Sequence, residues 1–333
     1  MKNTAKIGWI EIDSRQYGGV VYEDELEKIL KNNFNLKLIG VSSKYFKKGY
    51  LRGGELLLRL LRLEGKSDLW IRNGHTILSL RLDKTKGEDL ALIHHIDSAV
   101  TPFPFRIIDE MLDKLTYWNL RRAKAIITVS QYWKDHFLKK GYKNVYTIYN
   151  PFNLSEYNIK DEEAESFKKG NSLEGKPIIY LGNCQAAKGV IESYEALKSL
   201  NAHLVTAGEQ FVKIPARNFC VSHRDYLKLL KASDIVISMS RFKEGWSRTT
   251  HEAMLLKRPV IGSGQGGMKE LLEGGGQIVC PEFSLLKGKI ESLLEDPQKR
   301  KEMGERGYEF AKDFSQERFE KEWLGLVGNL LKE

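Results

Sequence analysis

Short apolar runs alternate with amphipathic stretches along almost the whole chain. In the first half the runs are Ile7–Ile12, Leu36–Val41, Ala91–His94, Ala125–Val129 and Val145–Ile148. Their apolar residues are nearly consecutive, the pattern of parallel strands covered on both faces. Between them Tyr22–Leu30, Ile107–Arg121 and Tyr132–Lys139 place apolar residues at helical spacing. The second half repeats the scheme, with strands at Pro177–Leu181, His203–Thr206, Ile235–Met239 and Pro259–Gly262. Its helices fall at Val190–Leu200, Asp225–Lys231, Arg248–Leu256 and Met268–Glu273. Such alternation points to the α/β class, as two Rossmann-like, doubly wound parallel-sheet domains. A chain of 333 residues suits two domains better than one. The polar stretch Asn150–Lys176 is the expected crossing between a domain over 1–155 and another over 156–312. A last amphipathic helix, over about 313–333, follows Ser315 with Phe319 in its first turn and Trp323, Leu324, Val327 and Leu330 at helical spacing.

Composition narrows the function classes. Hydrophobic residues make up 41% of the chain, enough for two cores. No apolar run approaches the roughly 18 residues of a membrane span. Met1–Ile12 lacks the zones of a signal peptide and reads as a first strand. Cys184, Cys220 and Cys280 are odd in number and far apart, which gives neither a disulfide framework nor a metal-ligand spacing. A cytoplasmic protein without bound metal or cofactor is expected. Residues 1–150 hold 26 Lys and Arg against 17 Asp and Glu, and the remainder holds 27 of each, so the first half carries the whole excess of +9. Within it, Lys44–Leu63 interleaves Lys44, Lys47, Lys48, Arg52, Arg59 and Arg62 with aromatic and leucine residues. Such a stretch can lie against an anionic membrane surface, which would make the protein peripheral on the inner face, or pack on the sheet with its basic side solvated. No nucleic-acid-binding module accompanies the charge.

The segment Arg241–Glu273 carries the chemistry. A strand, Ile235–Met239, leads through a loop holding Glu244 and Gly245 into a helix holding Glu252, eight residues further on. Ligands of open α/β sheets bind outside the carboxyl ends of strands. Two carboxylates there suit a polyol, since each accepts hydrogen bonds from hydroxyl groups. The next strand runs into Ser263-Gly-Gln-Gly-Gly267 and a second helix, a glycine-rich turn beside the first.

Glu244-Gly-x6-Glu252-Ala-Met, Lys257-Arg-Pro-Val-Ile and Gly266-Gly-x2-Glu-Leu resemble, in that order, the donor-site signature of retaining glycosyltransferases of family 4, which have the GT-B fold. Val129-Ser-Gln, Asn150-Pro, Tyr180-Leu-Gly, Lys188-Gly189, Ala232-Ser-Asp234 and Asp313-Phe-Ser315 are similar to landmarks of the same family. The resemblance is good from about Ala123 onward and loose before it. It implies two domains facing a cleft, the terminal helix packed back on the first, and transfer of a hexose from a nucleotide sugar to a glycan or lipid-linked acceptor. Glu244 and the backbone of Gly245, Trp246 and Ser247 would hold the donor sugar, Glu252 the ribose, Lys188 the diphosphate, and Phe219–Val221 would lie near the base. His95, with His94 as the alternative, would stand near the sugar, and Gly18 and Gly19 near the transferred phosphate. One departure stands out. The family usually has Arg where this chain has Asn183 in the donor site; either Arg15, Arg241 or Arg248 replaces that cation, or the donor is bound weakly or is not a diphosphate sugar. A sugar-nucleotide epimerase of the same fold and a non-catalytic glycan- or nucleotide-binding member are the competing readings.

Overall fold

The computed structural model describes residues 4–12 and 18–332. The chain divides into two compact units, Met1–Pro151 with Glu317–Glu333, and Phe152–Gln316. Arg15 lies outside the described residues. No helix among the described residues is long and apolar enough to cross a membrane.

The first unit is built on six parallel strands: β1 (Lys6–Ile12), β2 (Asn35–Val41), β3 (Glu64–Asn73), β4 (Lys84–Ile93), β5 (Ala125–Thr128) and β6 (Val145–Thr147). Their spatial order is β2-β1-β3-β4-β5-β6, so the winding reverses between β1 and β3. β3 is absent from the strands expected from hydropathy. Its sequence, EGKSDLWIRN, is broken by charges, and Arg72 among them is fully buried. The Arg72 guanidinium reaches Asp83 and Asp89 at 2.8 Å each and Thr85 Oγ1 at 2.7 Å. Paired in this way a charge can occupy a sheet interior that hydropathy reads as a loop.

The basic stretch Lys44–Leu63 is helical only from Gly49 to Leu61, with Leu56 and Leu60 buried. Ahead of that helix the Glu55 carboxylate accepts the backbone N–H groups of Lys44, Tyr45 and Phe46 at 2.8, 3.1 and 3.2 Å, which holds the segment in a turn. The terminal helix Gln316–Leu330 begins directly after Ser315 and buries Phe319, Trp323, Val327 and Leu330. The Trp323 indole N–H donates to Tyr22 Oη at 3.1 Å, and Tyr22 donates to the Ile148 carbonyl at 3.1 Å. Lys124 Nζ donates to the carbonyl of Leu330 at 2.8 Å.

The second unit holds β7 (Ile178–Asn183), β8 (His203–Ala207), β9 (Arg217–Phe219), β10 (Ile235–Ser238), β11 (Val260–Gly262) and β12 (Ile278–Val279), all parallel. The order β12-β11-β10-β7-β8-β9 is that of a dinucleotide-binding sheet, with its reversal between β7 and β10. β9 has a single apolar residue, Phe219, and β12 is two residues long, so neither shows as an apolar run. Part of the polar stretch read as a crossing is a helix, Asp161–Gly170. Its acidic first turn and its Lys168 and Lys169 in the last turn complement the helix dipole. It is tied to the helix His223–Ala232 by Glu163–Arg224 at 2.8 Å and Asp161–Lys231 at 3.0 Å. Ile179, Leu181, Val190, Ile237, Ile261 and Ile290 form part of a continuous core between the sheet and its helices.

Candidate active site

At the winding reversal of the second sheet, β7 and β10 are hydrogen-bonded neighbours whose chains leave in opposite directions. Beyond β7 the chain makes a short turn, Ala186–Lys188, and passes through Gly189 with φ of +67°. A Cβ at Gly189 would stand 2.2 Å from the carbonyl oxygen of Met239, so only glycine lets this turn lie against the end of β10. The backbone N–H of Arg241 donates to the Ala187 carbonyl at 2.9 Å and joins the two loops. Lys188 Nζ thereby meets Glu244 Oε1 at 2.8 Å.

A third loop fixes Glu244 from the other side. Glu244 and Gly266 form an isolated parallel bridge, the Gly267 N–H donates to the Glu244 carbonyl at 2.9 Å, and a Cβ at Gly266 would stand 2.3 Å from that carbonyl. Ser240 donates its hydroxyl to the Glu244 carboxylate. The loops after β7, β10 and β11 thus converge on one carboxylate that is 5% exposed, with a lysine beside it that is 28% exposed.

Glu252 lies on the helix Arg248–Leu255 and is also buried. It accepts the hydroxyl of Tyr226 at 3.0 Å and that of Tyr157 at 3.5 Å, with the Arg248 guanidinium at 3.5 Å. Burial, and then the charge of Glu252, push both phenols far above their ordinary range, so both remain protonated donors. Neither tyrosine carries a sequence signal. Tyr157 is 95 residues from Glu252, and packing alone joins them.

The structure brings Lys188, Glu244, Gly245, Ser247, Arg248 and Glu252 to one end of the second sheet. Ser247, just before the helix, accepts from Thr250 Oγ1 at 3.0 Å and shares a 3.1 Å hydrogen bond with Ser238. Arg248 lies over the Phe152 ring at 4.5 Å. Trp246 points inward, packed on Phe314, and its indole N–H donates to His251 Nδ1 at 3.2 Å. His251 in turn donates from Nε2 to the Ala311 carbonyl at 3.0 Å and stacks on Phe152 at 3.7 Å. Burial holds this imidazole neutral, with its pKa down at about 3. Asn183 ends β7 and accepts the Tyr180 hydroxyl at 2.9 Å. Arg241 is half exposed and ion-paired with Glu192 at 3.0 Å.

The remaining candidates belong to the first unit. Gly18 and Gly19 open the helix Gly18–Asn33. β4 stops at Ile93, so both histidines lie past its end rather than one within it. His94 meets Glu23 at 3.2 Å and the edge of Tyr22, whereas His95 is exposed and lines a cavity. Among the described residues no group of three or more His, Cys, Asp or Glu is placed to hold a metal ion.

Residues 161–310, nearly the whole second unit, match the family model of the glycosyl transferases group 1. The chain is 29% identical over 213 residues to an uncharacterized glycosyltransferase of Methanocaldococcus jannaschii, covering 59% of this chain and 57% of that protein. It is 26% identical over 222 residues to the N-acetyl-alpha-D-glucosaminyl L-malate synthase of Bacillus anthracis, covering 60% and 58%. The chain thus spans less than three fifths of the length of these relatives. In fold it is similar to HepE of Anabaena, solved in complex with UDP-glucose, with a TM-score of 0.76 at 16% identity over 98% of this chain and 100% of that one. The chain therefore has the GT-B fold, and its second unit is similar in sequence to the glycosyl transferases group 1 model.

Proposed function

We propose that the chain is a retaining glycosyltransferase that moves a hexose from a nucleoside-diphosphate sugar to a glycan or lipid-linked acceptor at or near a membrane. The observation that carries this reading is the Lys188–Glu244 pair at the winding reversal, with Glu252 held nearby by two tyrosines. A diphosphate arriving at Lys188 competes with Glu244 for the ammonium group. Glu244 then turns its oxygens to the sugar hydroxyls, while Glu252 receives the ribose. Gly245, Trp246 and Ser247 offer backbone groups, and Arg248 or Arg241 supplies the second cation that Asn183 cannot. In the first unit, Gly18, Gly19 and His95 are the residues to test for a role in transfer. Retention without a strong base requires departure and attack on one face, with the leaving phosphate taking the acceptor proton. Catalysis is then mainly positioning and charge stabilisation. The UDP-glucose held by HepE makes UDP-sugars the first donors to test.

Calorimetry with UDP and UDP-glucose tests the donor site, and binding is expected to weaken in Lys188→Ala and Glu252→Ala. No binding of any nucleoside diphosphate or sugar nucleotide at millimolar concentration defeats the reading. Product formed from UDP-sugar without acceptor would favour an epimerase, and the anomeric configuration of a transferred sugar, read by NMR, decides retention. The membrane element is supported by exposed Tyr45, Leu51, Phe103 and Met111, with Tyr50 stacked on Phe105 at 5.1 Å, beside Lys47, Lys48 and Arg106. Salt-sensitive co-sedimentation with anionic vesicles, weakened by replacing Lys47 and Lys48 with Glu, is the expected result.

A further inference from the structure

Lys188 and Arg241 stand on adjoining backbone segments where β7 and β10 part, since the Arg241 N–H donates to the Ala187 carbonyl at 2.9 Å. Each side chain ends on a carboxylate of the same unit. Lys188 meets Glu244 at 2.8 Å, and Arg241 meets Glu192 at 3.0 Å. Glu192 lies in the first turn of the helix Val190–Leu197, which starts directly after the Lys188–Gly189 turn. Both ion pairs therefore border that turn.

The two pairs differ in how firmly they are held. Glu244 is buried and fixed by its bridge to Gly266 and by the Ser240 hydroxyl. Arg241 is 52% exposed and Glu192 34%, and an exposed pair of this kind contributes little stability. The second carboxylate oxygen of Glu192, Oε2, is buried and has no hydrogen-bond partner among the described residues, an arrangement that costs free energy. Releasing Arg241 frees that carboxylate to turn toward water. The neighbouring groups are committed elsewhere. Arg248 is only 17% exposed, with its guanidinium over the Phe152 ring at 4.5 Å and 3.5 Å from Glu252. Asn183 is engaged by the Tyr180 hydroxyl at 2.9 Å. Of the two arginines, Arg241 can change partner at the smaller cost.

We propose that Glu192 is a resident counter-ion which a ligand displaces to recruit Arg241, so that the site selects nucleoside diphosphates over monophosphates; the assignment rests on the function proposed above. A diphosphate bears charge on both of its phosphates. One phosphate takes Lys188 from Glu244, and the other takes Arg241 from Glu192, where the guanidinium fork can hold it through paired N–H donors. A single phosphate opens one pair and leaves the other closed, so it gains less. Glu192 acts on this choice through Arg241 and is a positioning residue. No covalent bond changes in the exchange.

Calorimetry of the full chain with UDP, GDP and ADP, each against its monophosphate, tests this. The diphosphate that binds best should exceed its monophosphate by at least about tenfold in affinity. Arg241→Ala should remove most of that advantage while monophosphate binding stays within about twofold, and Arg241→Lys should restore part of it. Glu192→Gln, which keeps the shape of the side chain, should tighten the diphosphate about threefold with the melting temperature retained, and should change nothing in a chain that also carries Arg241→Ala, because residues acting through one contact are not additive. A pair that merely ties the helix to the loop would make Glu192→Gln weaken diphosphate binding or leave it unchanged, and either result overturns the inference. Tightening that persists without Arg241 overturns it too, since Glu192 would then act by simple repulsion. An undiminished preference for the diphosphate in Arg241→Ala defeats the inference and leaves the transferase reading standing. Absence of all nucleotide binding by the native chain defeats both.

Discussion

Arg72 in the first unit and Lys188 in the second are both cations set against carboxylates, yet their surroundings differ in kind. Arg72 sits within the length of β3, fully buried, and its nitrogens are taken up by Asp83, Asp89 and Thr85. Lys188 sits past the end of β7, about a quarter exposed, against a carboxylate that three loops hold in place. The first arrangement is closed and holds the sheet together. The second stands where an α/β sheet takes its ligands, on backbone turns that only glycine permits. A buried charge is therefore read by where along its strand it lies and whether its partners enclose it.

Exchanging the two sites' substitutions would break or confirm this comparison. Arg72→Ala leaves the buried Asp83 carboxylate without its cation and Asp89 with Arg81 alone, and should cost about 3–5 kcal/mol of stability, measured by urea denaturation. An unchanged midpoint would show that the closed network does not hold the sheet. Lys188→Ala should lower kcat/KM by about 100- to 1,000-fold, or roughly 3–4 kcal/mol of transition-state stabilisation, with little change in melting temperature. Loss of stability without loss of activity would reverse the roles assigned to the two cations.

His251 sharpens the contrast, since it lies in the same helix as Arg248 and Glu252 but is part of the packing. Its folded-state pKa, about 3, is below the ordinary value of 6.5. Below pH 6.5 the unfolded chain takes up a proton that the folded chain refuses. Stability is therefore complete above pH 6.5 and falls toward pH 3, by up to about 1.4 kcal/mol per pH unit. Urea midpoints at pH 7.5 and 4.5 should separate more in the native chain than in His251→Gln. The smallest effect belongs to Glu252→Gln, which keeps the shape of the side chain facing Tyr157 and Tyr226 and should weaken nucleotide binding about tenfold, as read by calorimetry.

Much of the fold was legible because parallel strands announce themselves as short apolar runs. The runs at Ile7–Ile12 and Ile235–Met239 correspond closely to β1 and β10. β3 was hidden because the charge of Arg72 is cancelled by partners 11 and 17 residues away, which no local window sees. β9 was hidden because two of its three residues are polar, and β12 by its length of two residues. In the candidate site Glu244, Glu252 and Lys188 stood out by their place in an ordered set of motifs. The tyrosines around Glu252 did not, since isolated aromatic residues belong to any core.

The sequence by itself determined the class of architecture and the residues of the second unit that lie past strand ends, because both follow from local periodicity and turn chemistry. Only the tertiary structure decided which of them meet. Lys188 and Glu244 are 56 residues apart, and they touch because the winding of the sheet makes β7 and β10 neighbours. The same winding gathers acidic side chains of the first unit into a concave surface, although their stretch of sequence is basic overall. Net charge is a sum over residues, whereas a site is a selection from them, and only the crossovers between strands make that selection.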